Sequence, residues 1–256
     1  MEVEKLAESL ARRAGKLLKD NFAGVRSVEF KGAVDIVTEM DKKAEELIVG
    51  GILEKFPDHG ILAEEGGEVI GSAPFRWIID PLDGTTNYSH GYPVFCVSIG
   101  VEKNGEIICG VVFDPMQDEF FSASLGGGAF LNGKKISVSS TESLDTALLA
   151  TGFPYDIRTN KDNNIDCFAR FALKSQALRR AGAAALDLAN TAAGRFDGFW
   201  ELRLKPWDVA AGVLIVREAG GSVTGLSGAE FEIGDGNIVA SNGLIHLEMT
   251  SVIEGF

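Results

Sequence analysis

Two short apolar runs in this chain each stop at acid, and that repeated pattern narrows the fold more than any other feature. Ile61-Leu62-Ala63 leads into Glu64-Glu65-Gly66-Gly67, and Phe75-Arg76-Trp77-Ile78-Ile79 leads into Asp80-Pro81-Leu82-Asp83-Gly84. Runs of this length and make-up predict buried strands. Ligands in α/β sheets collect at the carboxyl ends of strands, so two such ends can bring several carboxylates to one place. The rest of the chain alternates in a way that suits layered sheets and helices. Apolar spacing predicts helices over 3–22, 38–56, 162–174, 183–193 and 207–219, with a last one from 244. Thr38 reads as an N-cap, and Pro57 follows the end of its helix. Residues 94–123 read as an antiparallel meander with an Asn104-Gly105 turn, and Asn132-Gly133 turns a second hairpin. Strands are expected near 177–181, 197–201, 222 and 238.

With 256 residues, the chain has room for a well-buried core, either as one unit or as two packed halves of about 1–150 and 151–256. No apolar stretch is long enough to span a bilayer. The acidic, amphipathic start lacks the basic-then-apolar layout of a secretory signal. Cys96, Cys109 and Cys167 are far apart and cannot all pair. They read as reduced thiols, which places the protein in the cytoplasm. A formal net charge of −13 argues against a nucleic-acid binder, which needs a basic face. An acidic protein holds an anionic substrate only if the field is reversed locally, and divalent cations do that.

The second acidic segment is the more informative. Pro81 favours the second position of a turn and Gly84 closes it, so a turn over Asp80 to Asp83 would bring both carboxylates to one side. Two carboxylates held together away from water call for a cation. Magnesium takes six hard oxygen ligands and keeps several waters, so carboxylates plus the Leu82 carbonyl suit it. A helix starting at Gly84-Thr85-Thr86-Asn87 would offer free amides to a phosphate. Asp208 supplies a third acidic position, and Pro206 beside it marks a helix start. Each feature also has a plain reading: an ordinary turn for 80–84, a solvated turn for Glu64-Glu65, a helix cap for Asp208.

Taken together, these segments resemble the signatures of the inositol monophosphatase family. Glu64-Glu65, then Trp77-Ile-Ile-Asp-Pro-Leu-Asp-Gly-Thr-Thr-Asn87, then Pro206-Trp-Asp-Val-Ala-Ala-Gly212 with Glu218-Ala-Gly-Gly221 stand in the family's order. Asp35-Ile-Val-Thr-Glu-Met-Asp41 is similar to its early motif and Gly182-Ala-Ala-Ala-Leu-Asp187 to its later one. The resemblance implies an αβαβα layered sandwich shared with fructose-1,6-bisphosphatases, a homodimer, and two or three Mg2+ per subunit. It implies that Glu64, Asp80, the Leu82 carbonyl and Thr85 hold a first magnesium. Asp80, Asp83 and Asp208 would hold a second, and Glu64 would touch a third. Asp41 and Thr85 match the pair that orients or deprotonates the attacking water. The Gly84 and Thr85 amides would hold phosphate, while Asp83, Ala184 and Glu201 would contact the alcohol. The resemblance also implies that Lys31 belongs to a loop near the substrate. The activity implied is hydrolysis of a small phosphorylated polyol or sugar by direct attack of metal-activated water. Inositol 1-phosphate is the leading substrate, with inhibition by lithium. Fructose 1,6-bisphosphate and histidinol phosphate are alternatives, and one bacterial branch also acts as a transcription-associated binding protein.

Other patterns fail on inspection. Gly128 to Lys135 nearly spells a Walker A loop, but Lys135 stands where Ser or Thr is required. Asp162-Asn-Asn-Ile-Asp166 begins like an EF-hand loop, but Cys167 replaces the needed Gly. It reads instead as a helix N-terminus. His59, His90 and His246 are scattered, which speaks against zinc. Arg12-Arg13 and Arg179-Arg180 are too small for a nucleic-acid footprint. Arg179 and Arg180, which precede the Gly182 motif, are candidates to contact a second phosphate.

Overall fold

The computed structural model describes residues 2–22, 28–30 and 36–254, so Lys31 and Asp35 lie outside the described residues. Helix α1 (Glu2–Asn21) buries Val3, Ala7, Leu10, Ala14 and Leu18 along one stripe. Strands β1 (Val28–Phe30) and β2 (Ile36–Thr38) form a small antiparallel hairpin that sequence periodicity did not reveal. Helix α2 (Glu39–Lys55) follows at once. The Thr38 hydroxyl accepts from the Met40 amide at 3.2 Å and donates to Asp41 Oδ2 at 2.5 Å, while the Thr38 amide donates to the same oxygen at 2.8 Å. This reciprocal cap satisfies amides that a helix start leaves open.

The first sheet has eight strands in the order β10-β9-β8-β7-β6-β5-β3-β4. Its members are β3 (Gly60–Ala63), β4 (Gly67–Val69), β5 (Phe75–Asp83), β6 (Cys96–Lys103), β7 (Glu106–Asp114), β8 (Glu119–Ser124), β9 (Gly128–Leu131) and β10 (Lys134–Lys135). The short helix α3 (Thr85–Ser89) follows β5. The Asn104-Gly105 and Asn132-Gly133 turns join neighbouring strands as expected, with Asn104 and Asn132 in the left-handed region. Strands β3 and β5 run parallel, so their acidic ends fall side by side.

The second sheet has five strands in the order β12-β11-β13-β15-β14. These are β11 (Leu148–Thr151), β12 (Ala177–Arg179), β13 (Gly198–Glu201), β14 (Ser222–Thr224) and β15 (Ile238–Ser241). Helices α5 (Ala184–Ala192) and α6 (Pro206–Glu218) lie between the sheets, and α4 (Ile165–Ala172) and α7 (His246–Glu254) cover the outer face. Three apolar clusters follow this layering. One joins α1 and α2 to the first sheet, one joins both sheets through α5 and α6, and one joins the second sheet to α7 through Trp200 and Met249. The architecture is the αβαβα sandwich that the sequence led us to expect. Helix α6 lies very close to the first sheet. A Cβ added at Gly100 would meet Ala210 Cβ at 2.8 Å, and one at Gly110 would meet the Ala211 carbonyl oxygen at 2.7 Å.

Two expectations need correction. Helix α4 begins at Ile165 rather than 162, because Asn164 sits in the left-handed region at φ 73° and spends its side chain on Trp200 and Gly152. Asp80 to Asp83 is not a free turn but the bulged end of β5, as the site below makes plain. The three cysteines are free thiols, with Cys96 and Cys109 buried. Among the described residues, no helix is long and apolar enough to cross a membrane.

Candidate active site

The bulge decides how the acids are arranged. Asp80 pairs with Ser98 and Asp83 with Cys96, so β5 advances three residues while β6 advances two. Residues three apart on a regular strand point to opposite faces. One extra residue undoes that alternation. Pro81 lies within the irregular stretch, where its missing amide costs no ladder bond. Asp80 and Asp83 are therefore both buried, and the charge of Asp83 helps to raise the Asp80 carboxyl. The Asp80 Oδ1 accepts from the Leu82 amide at 3.0 Å, which fixes the loop between them.

Further groups close in from other elements. Gly84 adopts φ 94° and starts α3, and a Cβ there would meet the Val94 carbonyl at 2.9 Å, so only glycine fits. Thr85, the first residue of α3, places its hydroxyl 2.9 Å from Asp41 Oδ1 and 3.0 Å from the Leu82 carbonyl oxygen. One proton serves either acceptor in turn. Asp83 Oδ2 accepts from the Ala185 amide at 2.8 Å, which docks the start of α5, and with it Ala184, on the acidic pair. The Glu64 amide donates to Ile79 O at 3.2 Å, tying the end of β3 to β5. Asp208 Oδ2 accepts from the Lys205 amide at 2.6 Å. Asp208 thus caps α6 from its third helical position, and the same residue contributes charge to the site. The Ser98 hydroxyl meets Trp207 O at 3.4 Å and holds that helix start over β6.

Burial and mutual repulsion set the electrostatics. Desolvation pushes the Asp80 carboxyl well up, and Glu64, Asp83 and Asp208 add to the effect. Burial pushes Asp83 up to about 7 against the pull of hydrogen bonds from Ala185 and Cys96. Asp41 is raised by burial, despite its bonds to Thr38 and Thr85. Glu201 keeps part of its surface open, yet its carboxylate is crowded by protein atoms and rises to about 8, chiefly by burial and then by the charge of Asp208.

Such a set is costly to ionise without a cation, and its donors are all hard oxygens. The residues fit a divalent metal such as magnesium. Among the described residues no three acidic, His or Cys side chains are already drawn into a closed chelate. Asp41, Asp83 and Asp208 are instead held by protein donors, an arrangement that keeps like charges apart.

A model of the inositol monophosphatase family matches residues 1–254. The chain belongs to that family. It is accordingly a phosphoric monoester hydrolase of a metal-dependent family. It is 45% identical to the inositol-1-monophosphatase of Synechocystis sp., covering 97% of this chain and 88% of that protein. It is 47% identical to the Nus factor SuhB of Pseudomonas aeruginosa, covering 93% and 90%. The solved inositol monophosphatase of Anabaena (Nostoc) sp. PCC 7120 superposes with a TM-score of 0.91 at 42% identity, covering 99% of this chain and 96% of that one.

Several participants escaped sequence reasoning. Cys96 lies with Sγ 3.6 Å from Asp83 Oδ2, and burial followed by the charge of Asp83 raises its thiol well above the ordinary range. Asp187 is buried with Oδ1 lacking a hydrogen-bond partner, and burial followed by Glu201 raises its pKa. Asn87 Nδ2 reaches the carbonyls of Val94 and Ala181 at 2.8 Å each, pinning the loop before α5 to α3. Asp187 closes the Gly182 motif and Asn87 closes the Trp77 segment, but neither pattern indicates these contacts. Cys96 carries no signal, because its place beside Asp83 depends on the β5–β6 register. His59, one of the scattered histidines, is structural: it stacks between Phe56 and Phe75 and accepts from Trp77.

Proposed function

We propose that the protein hydrolyses inositol 1-phosphate to inositol and phosphate, using two or three Mg2+ per subunit. The observation that carries this reading is the bulge at Asp80–Asp83, which buries two carboxylates at one strand end, where Glu64, Asp83 and Asp208 together raise Asp80. Glu64, Asp80, the Leu82 carbonyl and Thr85 would hold the first ion, Asp80, Asp83 and Asp208 the second, and Glu64 would share a third. Bound Mg2+ would offset the charge of the phosphate, acidify water and stabilise the departing alkoxide.

The chain's own groups supply the rest. When Thr85 donates its hydroxyl proton to Asp41, its lone pairs are free to accept from a water, so the pair orients the nucleophile. Asp41, its ionisation held back by burial, is suited to take a proton. The amides of Gly84 and Thr85 face the phosphate, and Asp83, Ala184 and Glu201 contact the alcohol. Lys31 belongs to the same reading, although it lies outside the described residues. A homodimer and a cytoplasmic setting complete it, the latter supported by three free thiols.

A substrate panel with Mg2+ tests this reading: inositol 1-phosphate, fructose 1,6-bisphosphate, histidinol phosphate and adenosine 3′,5′-bisphosphate, each with and without lithium. Highest kcat/KM on inositol 1-phosphate and loss of activity with lithium are expected. Turnover of the adenosine compound with none of inositol 1-phosphate refutes it. Preference for fructose 1,6-bisphosphate or histidinol phosphate selects an alternative on the same metal site. The SuhB relative, which is named a Nus factor, supports a second reading as a transcription-associated binding protein. Retention of RNA polymerase on the immobilised protein, undiminished in Asp83→Asn, would establish it apart from catalysis.

A further inference from the structure

Glu201 ends β13 and Gly152 follows β11, and the two strands lie side by side and parallel, with Thr151 opposite Trp200. A methyl group built on Gly152 would fall inside the van der Waals envelope of the Glu201 carboxylate, overlapping Oε1, Cδ and Oε2 at once. The carboxylate therefore stands in the space that any side chain at 152 would fill. The backbone at Gly152 is not in the left-handed region, so glycine is not needed there for conformation. It is needed for room.

The surrounding hydrogen bonds show that both residues are held, not merely adjacent. The Thr151 hydroxyl donates to Trp200 O at 2.6 Å. Asn164 Nδ2 donates to Gly152 O at 2.7 Å and to Thr151 Oγ1 at 2.9 Å, while its Oδ1 accepts from Trp200 Nε1 at 2.7 Å. Every one of these groups is buried. The strand ends are locked together, so the free variable left to Glu201 is its own side chain. A methyl at 152 would displace that side chain by more than about 1 Å to restore ordinary contact, and the locked backbone would stay in place.

We propose that Gly152 is a specificity-determining positioning residue: the absence of a side chain there stations the Glu201 carboxylate where it reads the hydroxyl groups of the substrate's polyol. This inference rests on the proposed function, in which Glu201 contacts the alcohol. The three atoms nearest to a side chain at 152 all belong to Glu201, so replacing Gly152 spares turnover of esters whose alcohol has no hydroxyls to read.

The test compares Gly152→Ala, Glu201→Ala and the double variant with the wild type, all with Mg2+, on inositol 1-phosphate and on ethyl phosphate. Gly152→Ala is expected to lower kcat/KM for inositol 1-phosphate about tenfold, the scale of one hydrogen bond, mainly through KM. Its kcat/KM for ethyl phosphate stays within about twofold. In the Glu201→Ala background the alanine at 152 adds no further loss, because the two changes act through one contact. A crystal structure of Gly152→Ala shows the carboxylate displaced. If Gly152→Ala does not fold, the double variant, whose space is vacated, must fold and match Glu201→Ala. Equal losses on both esters, additive losses, or an unmoved carboxylate overturn the inference. A wild type that releases no phosphate from any ester refutes the proposed function instead, and the crystallographic displacement then decides the inference alone.

Discussion

Replacing Asp83 by asparagine should make the metal-free protein more stable while removing its activity. Asp83 is buried, and its carboxyl rises from 3.8 to about 7, with burial the main cause. Between those values the native protein holds a proton that the unfolded chain has released. Stability contributed by this group is complete below about pH 4 and is lost as pH rises through about 7. At 1.36 kcal/mol for each pH interval, the loss by pH 8 approaches roughly 4 kcal/mol. Asparagine has the same shape, accepts from the Ala185 amide through its oxygen, and carries no charge. Some of the relief is shared with Glu64 and Asp80, which still repel each other, so about 2–4 kcal/mol is expected at pH 8. For a chain of this length that raises Tm by about 4–16 °C. Urea unfolding with a chelator at pH 4 and pH 8 measures it: the two proteins should match at the lower pH and separate at the higher. Adding Mg2+ should close or reverse the gap, since it stabilises only a folded protein with its ligands intact. An Asn variant no more stable than wild type at pH 8 with chelator would show that burial does not hold the Asp83 carboxyl at a raised pKa.

Asp187→Asn provides the control. Its carboxyl is raised by burial and has an oxygen without a partner, yet it has no part in the proposed metal site. It should stabilise at pH 8 by about 1–3 kcal/mol, vanish as a difference at pH 4, and be indifferent to Mg2+, all read from the same urea curves. Gly110→Ala places a methyl 2.7 Å from the Ala211 carbonyl oxygen and 2.9 Å from its Cα, and backbone cannot step aside. A cost of about 1–3 kcal/mol is expected, seen as a lower Tm, with a raised Mg2+ requirement because α6 carries Asp208. Trp200→Phe leaves Asn164 Oδ1 buried without its donor. A loss of about 1–3 kcal/mol in chemical denaturation is expected.

The helix starts were legible because caps are local. Thr38 and Asp41 stand three apart and bond reciprocally, and Pro206 opens α6 where its missing amide costs nothing. The short strands were less so. Leu148–Thr151 has only four residues and an apolar run too brief to tell from loop, although it is the strand that pairs with β13. Gly67–Val69 is wholly exposed, so no apolar alternation marks it. The spacing over 162–174 overstates helix α4 because propensity does not report that Asn164 is recruited by Trp200. In each case a distant partner decided the outcome, and no local pattern carries that information.

The acidic segment shows the same division within a few residues. That Asp80 and Asp83 lie at a strand end follows from the apolar run before them. That they share a side does not, because side-chain parity three residues apart depends on whether the strand is regular. The sequence favoured a turn on the strength of Pro81 and Gly84, and a turn reaches the same side by another route. The structure instead continues β5 through Pro81 and inserts one residue against β6, so that Asp83 meets Cys96 and the Ala185 amide. The difference matters chemically. A solvent-facing turn would leave the pair hydrated and easily ionised, whereas a bulged strand between two layers buries both acids and makes their charge depend on what binds them. Gly84, held at φ 94° under the Val94 carbonyl, then directs the chain into α3 and brings the Thr85 hydroxyl to Asp41. Repulsion at the carboxylates and the chain's sharp exit at Gly84 are thus two consequences of one inserted residue and one missing side chain.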